Sequence, residues 1–89
     1  MLTLPSALTH AVAAGFSRGL KQAVLSQPGG VVVDASALTE FDSSALAVLL
    51  ECRREALAAG KGFTVTSLPA RLRQLAGLYG VAELVPATT

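Results

Sequence analysis

The stretch Val31–Leu50, "VVVDASALTEFDSSALAVLL", joins a short apolar run to an apolar helical segment through an acidic connection. Three consecutive valines after the turn residues of "QPGG" predict a buried strand at the centre of a parallel sheet. After Asp42 the pattern becomes helical, and we expect a helix from about Ser43 to Ala59 that ends at Gly60. The stretch therefore predicts a strand followed by a crossover helix, the unit from which α/β folds are built.

The remaining sequence repeats this alternation on both sides of the stretch. Strands are predicted at Leu2–Leu4, in the alternating "GFTVTS" at residues 62–67 and at Glu83–Val85, and helices from about Leu8 to Leu25 and from Pro69 to Gly80. Strands that are separated by helices imply right-handed crossovers and a parallel sheet. We expect one α/β domain over residues 1–89, with a mainly parallel four-stranded sheet and about three helices.

Two of the predicted helices carry patterns that indicate what they contact. The first has an apolar stripe beside a stripe of small residues, which suggests that another backbone packs closely against it. The last is expected to turn three large side chains inward. The apolar stripe is Leu8, Val12, Phe16, Leu20 and Val24, the small stripe is Ala11, Gly15, Gly19 and Ala23, and the inward side chains are Leu72, Leu75 and Tyr79.

The composition argues against several classes of protein. The 89 residues have a formal net charge of +1 and no run of basic residues, so a nucleic-acid-binding face is not expected. Cys52 is the only cysteine and cannot form an internal disulfide, which fits a reducing compartment. No apolar run approaches the roughly 20 residues that cross a bilayer, and the N-terminal segment lacks the basic start of a secretory leader.

The sequence also offers little for catalysis or for cofactor binding. His10 is the only histidine, lies near the start of the first predicted helix and has no nucleophile nearby in sequence. Gly29 and Gly30 precede the central strand, whereas a phosphate-binding loop needs glycines after a strand and before a helix. We therefore predict no catalytic residue, no cofactor and no metal site.

The start of the helix after Asp42 is the candidate functional site. Asp42 is placed to cap the helix, since its carboxylate can accept hydrogen bonds from the first-turn amides. The first two turns, Ala45–Leu50, are apolar all round, which is more apolar surface than packing on one sheet needs. Neighbouring elements or a partner must cover the rest of this surface. Charge begins only at Glu51, so this apolar surface lies beside Ser43. Phosphorylation of Ser43 would add about two negative charges to this surface.

These residues resemble a known family, the STAS domain. The order of strand, Asp34, "FDSSAL", apolar helix, "GKG" and alternating strand is similar to that family, and Asp42 to Leu46 match its Asp-Ser/Thr-Ser/Gly-Gly/Ala-Leu motif. In the sigma-regulating branch of the family the hydroxyl after the aspartate is phosphorylated, which corresponds to Ser43. The segment "LTLPSALTHA" resembles the family's second strand and the entry to its first helix, which implies an exposed sheet edge or a start further upstream.

The tail "LRQLAGLYGVAELVP", residues 72–86, resembles the ending of the transporter branch. That resemblance implies a non-enzymatic cytoplasmic subunit that binds the ATPase subunit of an ABC transporter and supports phospholipid transport and outer-membrane lipid asymmetry. By the same resemblance, the partner-binding residues would be Asp42, Ser43, Ser44, Ala45, Leu46 and Ala47. The subunit's association with the inner membrane would be indirect, through this partner. The alternative is an anti-sigma factor antagonist that binds an anti-sigma factor kinase and is switched by phosphorylation at Ser43.

Overall fold

The computed structural model describes residues 1–85 and the backbone of residues 87–88. In order along the chain, the elements are β1 (Leu2–Thr3), β2 (Ala7–Leu8), α1 (His10–Arg18), α2 (Leu20–Leu25), β3 (Val31–Asp34), β4 (Glu40–Phe41), α3 (Ser43–Ala58), β5 (Phe63–Thr66), α4 (Ala70–Leu78), a turn of 3-10 helix (Ala82–Leu84) and β6 (Ala87–Thr88). The expected alternation of strands and helices is therefore present.

The strands form two sheets, and every pairing within them is parallel. The larger sheet has four strands in the order β1-β3-β5-β6, and the smaller one pairs β2 with β4. The α/β class and the parallel sheet are thus confirmed. The expectation of one sheet with about three helices is incomplete, because the described part of the chain holds a second sheet and four α-helices. Two-residue strands such as β2 and β4 are too short to leave an alternating pattern in the sequence.

The order of the larger sheet follows the order of the chain, so right-handed crossovers carry the connecting helices to the same face. Side chains along β3 and β5 alternate between buried and half-buried, as their period of two requires. Val31 and Val33 lie beside Phe63 and Val65 in the buried rows. The core lies between these rows and the helices, and its fully buried members include Leu4, Leu8, Leu20, Val24, Leu49 and Leu72.

The single long helix predicted near the N-terminus is wrong, because the chain forms two helices that meet at Gly19. This residue has φ −95° and ψ 2° and serves as the C-cap of α1 and the N-cap of α2. Of the predicted apolar stripe, Leu8 lies in β2 and Val12 is exposed, whereas Leu20 and Val24 are buried. A period of four residues continues through such a break unchanged, so the pattern alone does not reveal it.

The predicted close approach of another backbone to the small stripe is also wrong. A Cβ atom added at Gly19 would meet nothing within 4 Å, and one at Gly15 would meet only the Arg18 guanidinium, at 3.7 Å. Gly19 therefore serves the junction between the two helices, and the stripe leaves part of the surface of α1 open.

The C-terminal part follows the prediction only up to Leu75. Leu72 is buried and Leu75 is half-buried, but Tyr79 is 56% exposed and does not point inward. Tyr79 is the C-cap of α4 and the chain then turns at Gly80, whose φ is +72°, so the tyrosine leaves the helical stripe. Residues 83–85 were predicted as a strand, yet Ala82–Leu84 form the 3-10 helix and the last strand comes later.

Candidate functional site

Asp42 joins the beginnings of two helices. Its Oδ1 accepts a hydrogen bond of 2.8 Å from the backbone N–H of Ser44, which confirms the predicted cap of α3. Its Oδ2 accepts a second bond of 3.1 Å from the backbone N–H of His10, the first residue of α1. Thr9, the N-cap of α1, makes no side-chain cap bond of its own, so Asp42 performs that role for α1 as well.

The electrostatics of Asp42 agree with this double role. The backbone N–H of Ser44, and after it that of His10, holds the pKa of the Asp42 carboxyl below its ordinary value, because both groups favour the charged form. The amino ends of α1 and α3 both carry partial positive charge, which the carboxylate offsets. The link between residues 32 positions apart was not predicted from the sequence.

The six candidate residues are divided between the surface and the core. Asp42, Ser43 and Ala47 are exposed and Ser44 is half-buried, whereas Ala45 and Leu46 are 0% and 3% exposed. We expected Ala45 and Leu46 to border a contact with a partner. Ala45 is fully buried, whereas Leu46 is nearly buried but lines a groove beside Ser43. Both support the site from below, because they anchor the first turn of α3 in the core.

Most of the apolar surplus on α3 is covered by the domain itself. Helices α1, α2 and α4 all pack against α3, and Val48 and Leu49 are buried. Ala47 remains exposed near the Ser43 end of the helix. The exposed apolar surface near the Ser43 end of α3 is therefore a narrow ridge at Ala47, with a groove on each side.

The first groove lies between α3 and the end of α4 and has a volume of about 280 Å³. Its lining residues are Ser43, Leu46, Ala47, Leu50, Tyr79 and Val81. Sequence reasoning missed Tyr79 as a surface residue, since the helical stripe placed it inside. Tyr79, which is exposed, lines the same groove as Ser43 and so enlarges the apolar part of the candidate site.

The second groove lies between α1 and α3 and has a volume of about 470 Å³. Its lining residues are His10, Ala13, Ala14, Ser17, Ser44, Ala47, Val48 and Glu51. Ala47 belongs to both grooves, so the two form one continuous surface that includes Ser43. The contribution of α1 to this surface was not predicted.

Among the described residues, the polar groups near the site do not form a nucleophile–base pair. His10 reaches Asp42 through its backbone N–H, and both carboxylate oxygens are engaged by main-chain amides. Cys52 is 1% exposed, and burial raises the pKa of its thiol to about 11, so the thiol stays protonated. Within residues 1–85, no three His, Cys, Asp or Glu side chains are grouped as metal ligands. None of the helices described is both long and apolar enough to cross a membrane.

Comparison with known families agrees with this architecture. A family model described as "Mlab, STAS domain" matches residues 1–86. The chain belongs to the STAS domain family. STAS domains are in general non-enzymatic regulatory and interaction domains. Among curated proteins, no relative matches the chain.

Solved structures share the STAS fold at low sequence identity. A Thermotoga maritima protein described as a candidate anti-sigma factor antagonist has a TM-score of 0.77 and 16% identity, over 94% of this chain and 74% of that one. A sulfate transporter family protein from Wolinella succinogenes has a TM-score of 0.70 and 15% identity, over 91% of this chain and 66% of that one. At such identities the likeness concerns the fold alone.

Proposed function

We propose that this STAS domain is a non-enzymatic accessory subunit that binds the ATPase subunit of an Mla-type ABC transporter. In that role it would support phospholipid transport and the lipid asymmetry of the outer membrane. It would be cytoplasmic and would reach the inner membrane only through its partner. The family model named for MlaB, which matches residues 1–86, supports this assignment, as does the transporter-like tail.

One observation supports the proposed docking site: Ser43 and Ala47 are both exposed and lie one turn apart on a helix end whose position is held by other contacts. Ala45 and Leu46 anchor that turn in the core, and Asp42 ties it to α1. A partner that docks here meets a preorganised surface, so little ordering cost opposes binding. Asp42, Ser43 and Ser44 would make polar contacts and Ala47 an apolar one.

A second candidate function is that of an anti-sigma factor antagonist, which the exposed Ser43 favours, because it stands at the position that is phosphorylated in the sigma-regulating branch that the Asp42–Leu46 motif resembles. The domain would then bind an anti-sigma factor kinase while Ser43 is unmodified and release it after phosphorylation. A phosphate on Ser43 would lie at the positive end of α3, where the fold tolerates negative charge. Beside Glu40 and Asp42 it would nevertheless change the field that a partner meets.

Affinity purification from the native cell, followed by mass spectrometry, distinguishes the two functions. The transporter assignment predicts that an ABC ATPase and its permease are recovered with the tagged domain. Recovery of a kinase-like anti-sigma factor would instead establish the second function, and recovery of neither would contradict both.

Paired variants test the place of docking. Ala47→Glu puts a charge on the exposed ridge and is expected to abolish capture, because an unpaired buried carboxylate is costly in an interface. Ala58→Glu makes the same change at the exposed far end of α3 and should bind like wild type. Both variants should keep the circular dichroism spectrum and melting temperature of the parent. Capture by Ala47→Glu at the wild-type level would show that the surface is wrongly placed.

A further inference from the structure

Helix α1 buries none of its residues, although its sequence "HAVAAGFSR" is largely apolar. Val12 is 39% exposed, Ala14 is exposed, and Ala13 and Phe16 are only half-buried. A surface helix of a small domain normally buries an apolar stripe against the core. The helix is held by its neighbours and by Asp42, yet much of its apolar surface is left uncovered.

The uncovered side of α1 forms one wall of the second groove. Ala13 and Ala14 line that wall, and Ala47 and Val48 line the opposite wall on α3. Side chains this small allow another backbone to come close to both helices. The groove begins between His10 and Ser44, where the two helices are joined through Asp42, and extends to Ser17 and Glu51. Nine residues of α1 correspond to about 13 Å of helix, which suits two to three turns of a second helix.

The charges around the groove favour a cationic occupant. Glu51 is the only acid or base among its lining residues besides His10. Glu51 and Glu55 share the single guanidinium of Arg54, so this trio keeps one net negative charge. At the other end of the groove, the carboxylate of Asp42 accepts hydrogen bonds from the backbone N–H groups of His10 and Ser44 and offsets the partial positive charge of the amino ends of α1 and α3, so it adds little negative charge there.

The guanidinium of Arg18 lies near Gly15, and Arg18 is not among the lining residues of the groove. Arg53 lies about 200° around α3 from Glu51, at 100° per residue, and so projects from another side. The groove therefore combines small apolar walls with one net negative charge at the Glu51 end.

We infer that the groove between α1 and α3 receives a short amphipathic helix of the partner, with small apolar residues against the walls and a Lys or Arg directed at Glu51. This inference rests on the proposed function, since the helix belongs to the ATPase subunit. The groove is continuous with the Ser43 surface through Ala47, so one partner covers both. Recognition of an amphipathic helix in an apolar groove is a recurrent mode of binding, and the charge pair fixes its orientation.

A photo-crosslinking experiment on the complex tests the occupant. A benzoylphenylalanine is placed at Ala14 in the groove or at Ala58 outside it, and each purified domain is irradiated with the ATPase subunit of the same cell. The crosslinked peptides are then sequenced. We expect the Ala14 probe alone to capture an ATPase peptide with helical apolar periodicity and a Lys or Arg. An acidic peptide, a second copy of this domain, or equal yields from both positions would overturn the inference.

Charge variants give a readout that does not depend on the bulky probe. Glu51→Gln should weaken binding of the ATPase subunit by up to about fivefold at low salt, and the effect should shrink in 0.5 M NaCl. Glu83→Gln, an exposed acid outside the groove, should leave affinity unchanged. Equal affinities for wild type and Glu51→Gln would refute the charge pair while leaving the proposed function intact. Failure of the wild-type domain to bind the ATPase subunit would instead remove the proposed function itself, and the inference with it.

Discussion

Lys61 acts as a C-terminal cap for a helix that lies 36 residues earlier in the chain, and its removal should destabilise the domain. The ammonium donates hydrogen bonds to the backbone carbonyls of Val24, at 3.1 Å, and Leu25, at 3.4 Å, and to that of Gln27. The carbonyls of Val24 and Leu25 belong to the last turn of α2, which has no basic residue of its own, and Gln27 follows the C-cap Ser26. Lys61 therefore supplies the positive charge that the negative end of α2 lacks.

The expected loss follows from this geometry. A cation at a helix C-terminus contributes about 0.3–1 kcal/mol when exposed and up to about 2 kcal/mol when partly buried. Lys61 is half-buried and engages three carbonyls, so Lys61→Met should lower the free energy of unfolding by about 1–2 kcal/mol. Methionine keeps an apolar stem of similar length, so the change isolates the charge and its hydrogen bonds.

Urea denaturation, followed by circular dichroism, measures this loss. With a slope of about 1–1.5 kcal/mol/M for a domain of this size, the midpoint should fall by roughly 1 M. Lys21→Met is the matched control, because Lys21 is exposed near the positive end of the same helix and its removal should not destabilise. Equal midpoints for Lys61→Met and Lys21→Met would refute the capping role of Lys61.

Three further predictions follow from individual residues. Cys52 should react with a thiol reagent at pH 8 only as fast as the domain unfolds, because burial raises the pKa of its thiol to about 11; rapid labelling of the native protein would contradict its burial. Gly60→Ala should destabilise by about 1–2 kcal/mol in urea denaturation, since φ is +71° there, whereas Gly19→Ala should be neutral or stabilise by up to about 1 kcal/mol. A larger loss of stability for Gly19→Ala than for Gly60→Ala would show that the turn geometry is misassigned. Asp42 has a lowered pKa in the folded state, so its contribution is fully present above its unfolded value of 3.8 and is lost as the pH falls through the lower folded value. Asp42→Asn should flatten the dependence of the urea midpoint on pH below about 5, and an unchanged slope would contradict the double cap.

The parts of the fold that local chemistry determines were predicted from the sequence. The N-cap at Asp42 and the positive φ of Gly60 depend on neighbouring residues, so the bounds of α3 agree with the prediction to within one residue. The alternation of Phe63–Thr66 likewise predicted which side chains of β5 face the core. In such segments the local conformational preferences and the pattern of apolar residues favour the same structure.

The parts that depend on distant contacts were not predicted. Gly19 breaks the first helix without disturbing its apolar period, and Tyr79 leaves the stripe only because the chain turns after it. The bonds from Asp42 to His10 and from Lys61 to the end of α2 join residues more than 30 positions apart. For the same reason the sequence located the Ser43 end of α3 as a site but did not indicate that α1 and the end of α4 border it.

Titration of the purified ATPase subunit with this domain is the most direct test of the proposed docking surface. Isothermal calorimetry should detect binding by the wild-type domain and by Ala58→Glu with equal affinity. Ala47→Glu should bind roughly 100-fold more weakly or not at all, because its carboxylate would be buried without a partner. Undiminished binding by Ala47→Glu, or no binding by the wild-type domain, would contradict the account.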